Sequence, residues 1–194
     1  MPQKQRDVLM PAYLLHMRPY RETSVIADFF TQHHGKISAV VRGARRQKGK
    51  YKAQFQPFNP LLISWMGKHE LVTMTQIESS GGHTNLKGNR LICGLYLNEL
   101  LVRLLPSWHG YVNLFGAYLS AINDLADCQK QVMPLLRQFE MNLLSEIGYG
   151  IDLTYESDGQ VSLDPDKHYQ YAQGQGFMSL TASPNAATYK GAWL

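Results

Sequence analysis

Apolar positions in the first 80 residues fall into five short runs, at 8–15, 24–30, 36–41, 60–65 and 71–78. The runs are rich in β-branched, aromatic and leucine residues, and each reads as a strand. Turn residues separate them: Arg18-Pro19, His34-Gly35, Gly43, Asn59-Pro60 and Met66-Gly67. His33-His34-Gly35-Lys36 has the composition of a tight hairpin connection. Strands this short and this closely spaced predict a small barrel or a sandwich. Between the third and fourth runs, Gly43 to Gln56 is polar and breaks the alternation, and it reads as a long loop with room for a helical turn.

After Ser79-Ser80-Gly81-Gly82 the apolar period lengthens. That cluster is the expected linker, which divides the chain into 1–80 and 81–194. Residues 91–105 carry a broad apolar face. Tyr111, Phe115, Tyr118, Ile122 and Leu125 then step by three and four, as do Val132, Leu136, Phe139, Leu143 and Ile147. Pro106 ends the first helix, Pro134 fits the first turn of the third, and Gly148 stands where a C-terminal cap belongs. Three helices with short connections predict an antiparallel helical bundle. Residues 151–180 are irregular. Asp158-Gly159 reads as the turn of a small hairpin between 151–155 and 161–163, and 169–171 and 177–180 read as further short strands. The end, from Tyr189 to Leu194, carries no closing element in its pattern. The fold class expected is α+β: an N-terminal barrel, then a helical domain with a small hairpin insertion.

Charge sharpens this division. The net charge is +4 over 194 residues. Residues 1–90 hold 14 Lys and Arg against 5 Asp and Glu, whereas 91–194 hold 5 against 10. A basic front half calls for a polyanionic partner. With 44% hydrophobic and 18% charged residues the chain can bury a core, so full disorder is excluded. No run approaches the roughly 18 apolar residues of a membrane span, and the polar start, Met1 to Pro11, lacks the apolar segment of a secretory signal. The two cysteines, Cys93 and Cys128, exclude a disulfide framework and any Cys-x-x-Cys motif. A cytoplasmic protein with reduced thiols is expected, with no membrane partner.

The densest chemical signal runs from Arg42 to Lys52. It holds six cations in eleven residues, Arg42, Arg45, Arg46, Lys48, Lys50 and Lys52, with no acid among them. Cations release counterions from phosphates, Gly43 and Gly49 allow close approach of backbone, and Tyr51 can stack on a base. The alternative is a solvated loop. Arg18, Arg21 and Lys36, together with the basic half-chain, tip the balance to nucleic acid. Most front-half aromatics are expected in the core; Tyr51 and Phe55 are the candidate exposed stacking faces. In the helical half, Arg103 and Arg137 each flank an apolar stripe, an arrangement suited to an acidic, aromatic-tipped C-terminal peptide. The alternative is that they simply pair with Glu99 and Glu140.

No catalytic pattern is present. The seven histidines show neither His-x-x-x-His nor His-Glu-x-x-His spacing, so no metal is expected. Gly-x-Gly-x-x-Gly, the P-loop and Gly-x-Ser-x-Gly are all missing. Asp124 with Asp127 and Asp164 with Asp166 are surface pairs near helix ends and turns, and the two cysteines act as small hydrophobes. An enzyme is not expected, and no cofactor is called for.

Six ordered segments carry a resemblance. They are the Glu22-Thr23-Ser24 turn after Arg18-Pro19-Tyr20-Arg21; the third run leading into Arg42-Gly43-Ala44-Arg45; Gln56-Pro57-Phe58 before the fourth; Tyr96-Leu97-Asn98-Glu99-Leu100; Leu136-Arg137-Gln138-Phe139-Glu140; and the segment ending Gly148-Tyr149-Gly150. In this order, over about residues 8–178, the chain resembles the RecO family of DNA repair and recombination mediators. The resemblance implies an OB-fold and a helical domain, binding of single- and double-stranded DNA, and annealing of complementary strands. It also implies contact with the acidic C-terminal tail of single-stranded DNA-binding protein. With RecR, in the RecFOR pathway, it implies help in loading RecA onto coated single strands, in the bacterial cytoplasm at the nucleoid. The family has no catalytic residues to carry over. Many members hold a four-cysteine zinc site after the Leu-Gly-Tyr segment, but residues 151–177 here contain no Cys, so a zinc-less branch with a hairpin-like replacement is expected. The family also continues for some tens of residues beyond the position of Leu194, so the chain reads as C-terminally shortened. The rival readings are an RNA-binding OB module and an adaptor whose helical domain binds an acidic C-terminal peptide.

Overall fold

A computed structural model describes residues 8–46, 54–68, 70–82, 84–180 and 188–193. The chain forms two compact units, Met1–Glu140 and Met141–Leu194. The division falls inside a helix, downstream of the Ser/Gly linker at residue 80.

In the first unit, β1 (Met10–Tyr20), β2 (Ser24–Thr31), β3 (Gly35–Val41), β4 (Pro60–Met66) and β5 (Leu71–Ser79) close into a barrel of order β1-β2-β3-β5-β4. All neighbours are antiparallel except β3 and β5, where Ser38, Ala39 and Val40 face Leu71, Val72 and Thr73. Of the barrel and the sandwich that the five runs allow, the chain forms the barrel, with the OB-type arrangement that the resemblance implies. Alternate residues point inward, as the pleat requires: Val25, Ala27 and Phe29 from β2, and Ile37, Ala39 and Val41 from β3. In β5 the phase slips between Met74 and Ile77, where the register with β4 shifts.

One side of the barrel is buried on its outer face too. Three helices follow, α1 (Gly88–Leu104), α2 (Val112–Ala126) and α3 (Val132–Glu146); Tyr13 of β1 and Phe30 of β2 point away from the barrel interior and meet α2. Tyr13 lies 5.6 Å from Phe115 and 5.0 Å from Tyr118 by ring centroids; Phe30 lies 5.4 Å from Phe115, and Phe139 of α3 lies 6.3 Å from Tyr118. Double-sided burial explains why residues 12–15 form an unbroken apolar run.

Three sequence expectations are corrected here. Arg18-Pro19 is strand rather than turn: Arg18 faces Ile26 and Pro19 faces Val25. The chain reverses three residues later, at Arg21–Thr23. Asp158-Gly159 does form a turn, but its flanks meet only in the isolated bridge of Tyr155 and Ser162. The regular sheet of the second unit is β7-β6-β8, built from β6 (His168–Ala172), β7 (Gly176–Ser179) and β8 (Thr188–Lys190). The end therefore does carry a strand, followed by a 3-10 turn at Gly191–Trp193. Strand pairing to a distant segment leaves no periodic signal in three residues. Gly148 caps α3 as expected. With φ of 85° it lets Tyr149 N–H donate to Leu144 O at 2.8 Å and Gly148 N–H to Ser145 O at 3.2 Å, a Schellman motif.

No helix among the described residues is long and apolar enough to cross a membrane.

Candidate nucleic-acid interface

The β1–β2 turn and the segment leaving β3 lie side by side because Val25 and Val41 are register partners. That adjacency brings Arg21 against residues twenty or more positions later. Arg21 adopts φ of 52°, and its guanidinium stands 5.2 Å from the centroid of the Tyr20 ring, a cation–π contact. Leaving β3, Gly43 takes φ of 71°, and Arg46 N–H donates to Gly43 O at 3.2 Å, closing a tight turn. Arg45 reaches back to the first turn: its N–H donates to Thr23 O at 3.0 Å, and its Nη1 donates to Arg21 O at 3.2 Å.

Between these segments lies an open cleft of about 710 Å³. Arg21, Arg42 and Arg46 line it, with Tyr20, Glu22 and Thr73. All three arginines are exposed, and none forms an ion pair with another described residue. Three guanidinium groups against one carboxylate, Glu22, leave the concavity net cationic, and planar forks suit phosphate oxygens.

The other expected residues disperse. Arg18 is exposed on β1 but does not line the cleft. Lys36 starts β3, about 20 Å along the strand from Arg42. Its Nζ donates to Val102 O of α1 at 2.6 Å, and burial pulls its pKa down, with Asp28 opposing. Lys48, Lys50, Tyr51 and Lys52 lie outside the described residues. Phe55 is not an exposed stacking face: it is 7% exposed and belongs to the barrel core. Tyr20, Glu22 and Thr73 were missed by sequence reasoning. Tyr20 carried a signal, an aromatic beside Arg21; Thr73 reaches the cleft only through the non-local pairing of β3 with β5.

In the helical part, Arg103 bonds Glu99 at 2.7 Å and Arg137 bonds Glu140 at 2.6 Å. Glu140 also accepts from Tyr96 OH at 2.7 Å, which raises the phenol's pKa. Arg103 lies at a mainly apolar cleft of about 350 Å³ with Leu15, Leu95 and Val102. Asp124 is paired with Lys130, and Asp164 accepts from Asp166 N–H at 2.9 Å. Cys93 and Cys128 are free thiols. Among the described residues no group of three or more His, Cys, Asp or Glu could hold a metal ion.

Residues 6–82 match the family model for the N-terminal part of recombination protein O, and residues 86–191 match the model for its C-terminal part. The chain belongs to the RecO family. The DNA repair protein RecO of Tolumonas auensis is 44% identical over 178 residues, covering 92% of this chain and 74% of that protein. The RecO of a Coxiella burnetii strain is 38% identical over 187 residues, covering 96% of this chain and 80% of that protein. The RecO of Aromatoleum aromaticum is 42% identical over 180 residues, covering 93% and 74%. In RecO terms, the arginine cleft lies wholly within the segment matched by the N-terminal model.

Proposed function

We propose that this RecO-family chain is a non-catalytic mediator of DNA repair and homologous recombination. It binds single- and double-stranded DNA, anneals complementary strands and, with RecR, helps load RecA onto coated single strands in the bacterial cytoplasm at the nucleoid. The observation that carries the reading is the cleft of Arg21, Arg42 and Arg46 on the barrel. Annealing needs only charge neutralisation and presentation of bases, which such a surface supplies without an acid, base or nucleophile. Lys48, Lys50 and Lys52 follow in the same basic segment and add to that segment's charge, with Tyr51 among them.

The test is fluorescence polarisation of a labelled single-stranded oligonucleotide between about 50 and 400 mM salt. Neutralisation of about four to six phosphates gives a slope of log K against log salt of roughly −3 to −4. A slope near zero would sink the electrostatic mechanism. Competition with a matched RNA oligomer separates the DNA reading from an RNA-binding module.

The acidic tail of single-stranded DNA-binding protein is assigned to the helical part, through Arg103 or Arg137. The apolar cleft beside Arg103 favours Arg103, since a tail with an aromatic tip needs an apolar seat next to its cation. Titration with a tail peptide tests this: weakening by Arg103→Ala but not by Arg137→Ala assigns the cleft, and the reverse assigns α3.

A further inference from the structure

Of Arg21, Arg42, Arg45 and Arg46, Arg45 alone does not line the cleft. Two of its donors, one from the backbone and one from the side chain, hold the turn itself. Its N–H holds Thr23 O and its Nη1 holds Arg21 O, so both contacts fall on the three-residue turn that carries Arg21. That turn needs support. Arg21 sits in the left-handed region at φ of 52°, where a non-glycine residue is held by its surroundings rather than by preference. The Tyr20 ring steadies the Arg21 guanidinium from one side at 5.2 Å, and Arg45 fixes the Arg21 carbonyl.

We propose that Arg45 is a positioning residue, not a phosphate contact: it braces the β1–β2 turn so that Arg21 faces the cleft with Arg42 and Arg46. The proposal rests on the reading of that cleft as the DNA site. It divides the basic cluster by role. Arg21, Arg42 and Arg46 each displace counterions, whereas Arg45 lowers the conformational cost of presenting one of them.

Salt dependence separates the two roles. The measurement is single-stranded oligonucleotide binding by the full chain across a salt series, for the wild type, the four single Ala variants, Arg45→Lys and the double variant Arg21→Ala/Arg45→Ala. Each of Arg21→Ala, Arg42→Ala and Arg46→Ala is expected to make the slope shallower by about 0.7. Arg45→Ala is expected to weaken binding roughly three- to tenfold with the slope unchanged. Lys at 45 can still donate to the Arg21 carbonyl, so Arg45→Lys recovers most of the affinity. In the Arg21→Ala background, Arg45→Ala should change affinity less than about twofold, since Arg45 acts through Arg21.

A slope made shallower by about 0.7 in Arg45→Ala overturns the proposal, because Arg45 then neutralises a phosphate itself. Full additivity in the double variant overturns it too, as does unchanged affinity in Arg45→Ala. Unchanged slopes in all three cleft variants instead overturn the DNA reading of the cleft, and the proposal with it. Arg45 is exposed, so its variants should fold, and matching circular dichroism and melting curves confirm that.

Discussion

Asn98 shows what one buried polar side chain does in this fold. β1 breaks its register with β2 between Leu14 and His16, which leaves Leu15 outside the ladder. Asn98, only 3% exposed on α1, donates Nδ2 to Leu15 O at 3.1 Å and accepts from Tyr118 OH at 2.7 Å. One amide therefore satisfies a bulged strand and a fully buried phenol, whose pKa burial pushes well up. Asn98→Ala leaves both partners buried and unpaired. Chemical denaturation should show a loss of about 2–4 kcal/mol, and Asn98→Leu should not recover it. Gly94, one turn earlier on α1, is needed for space: a Cβ there would lie 2.8 Å from the Phe58 ring. The physical work of both residues is docking α1 on the barrel.

At the scale of elements, Lys36 is expected from sequence as a phosphate contact, and in the fold it joins β3 to the end of α1. Its Nζ donates to Val102 O, in the last turn of α1, where the helix leaves carbonyls without intrahelical partners. Its own carbonyl accepts from Trp108 N–H at 3.1 Å, so backbone and side chain both hold the α1–α2 connection. Gly35 completes the join, since a Cβ there would fall 1.8 Å from His109 O. Lys36→Ala is expected to destabilise the protein by about 1–2 kcal/mol while leaving the salt slope of DNA binding unchanged. A slope shallower by about 0.7 with unchanged stability would return Lys36 to the DNA surface.

At the scale of the whole molecule, the second unit holds an irregular stretch without cysteine ligands. Asx turns stand there instead. Asp152 Oδ1 accepts from Thr154 N–H at 2.7 Å and Asp158 Oδ1 from Gln160 N–H at 2.9 Å, while Asp164 takes Asp166 N–H. The hydroxyl oxygen of buried Tyr169 accepts from Asp164 N–H at 2.7 Å. Backbone bonds from Gln160 and Val161 hold the Asp158 carboxyl below its ordinary pKa. A carboxyl depressed in the fold contributes above its unfolded value, and that contribution is lost as pH falls through the folded value. Acid, rather than a chelator, is therefore expected to loosen the 152–166 stretch. Protection factors for amide exchange, corrected for the intrinsic pH dependence, should fall at Gln160 and Val161 below about pH 4 and stay unchanged with EDTA at neutral pH. A fall in melting temperature on EDTA treatment at pH 7 would show instead that a metal supports this unit.

Local patterns were enough to identify the five strands, the three helices and the Gly148 cap, because alternation, helical period and a capping glycine are properties of neighbouring residues. The charge contrast between the halves, and with it the basic exit from β3, was equally legible. Which cations converge was not. Arg21 meets Arg42 and Arg46 only because β2 pairs with both β1 and β3, and Thr73 joins them through a parallel pairing between strands some thirty residues apart. The same closure withdrew Lys36 to a helix end and Phe55 into the core, and β8 formed where no period announced a strand. Charge and periodicity are written along the chain, but the partner of a side chain is set by which strands become neighbours when the barrel closes, and that adjacency exists only in the folded molecule.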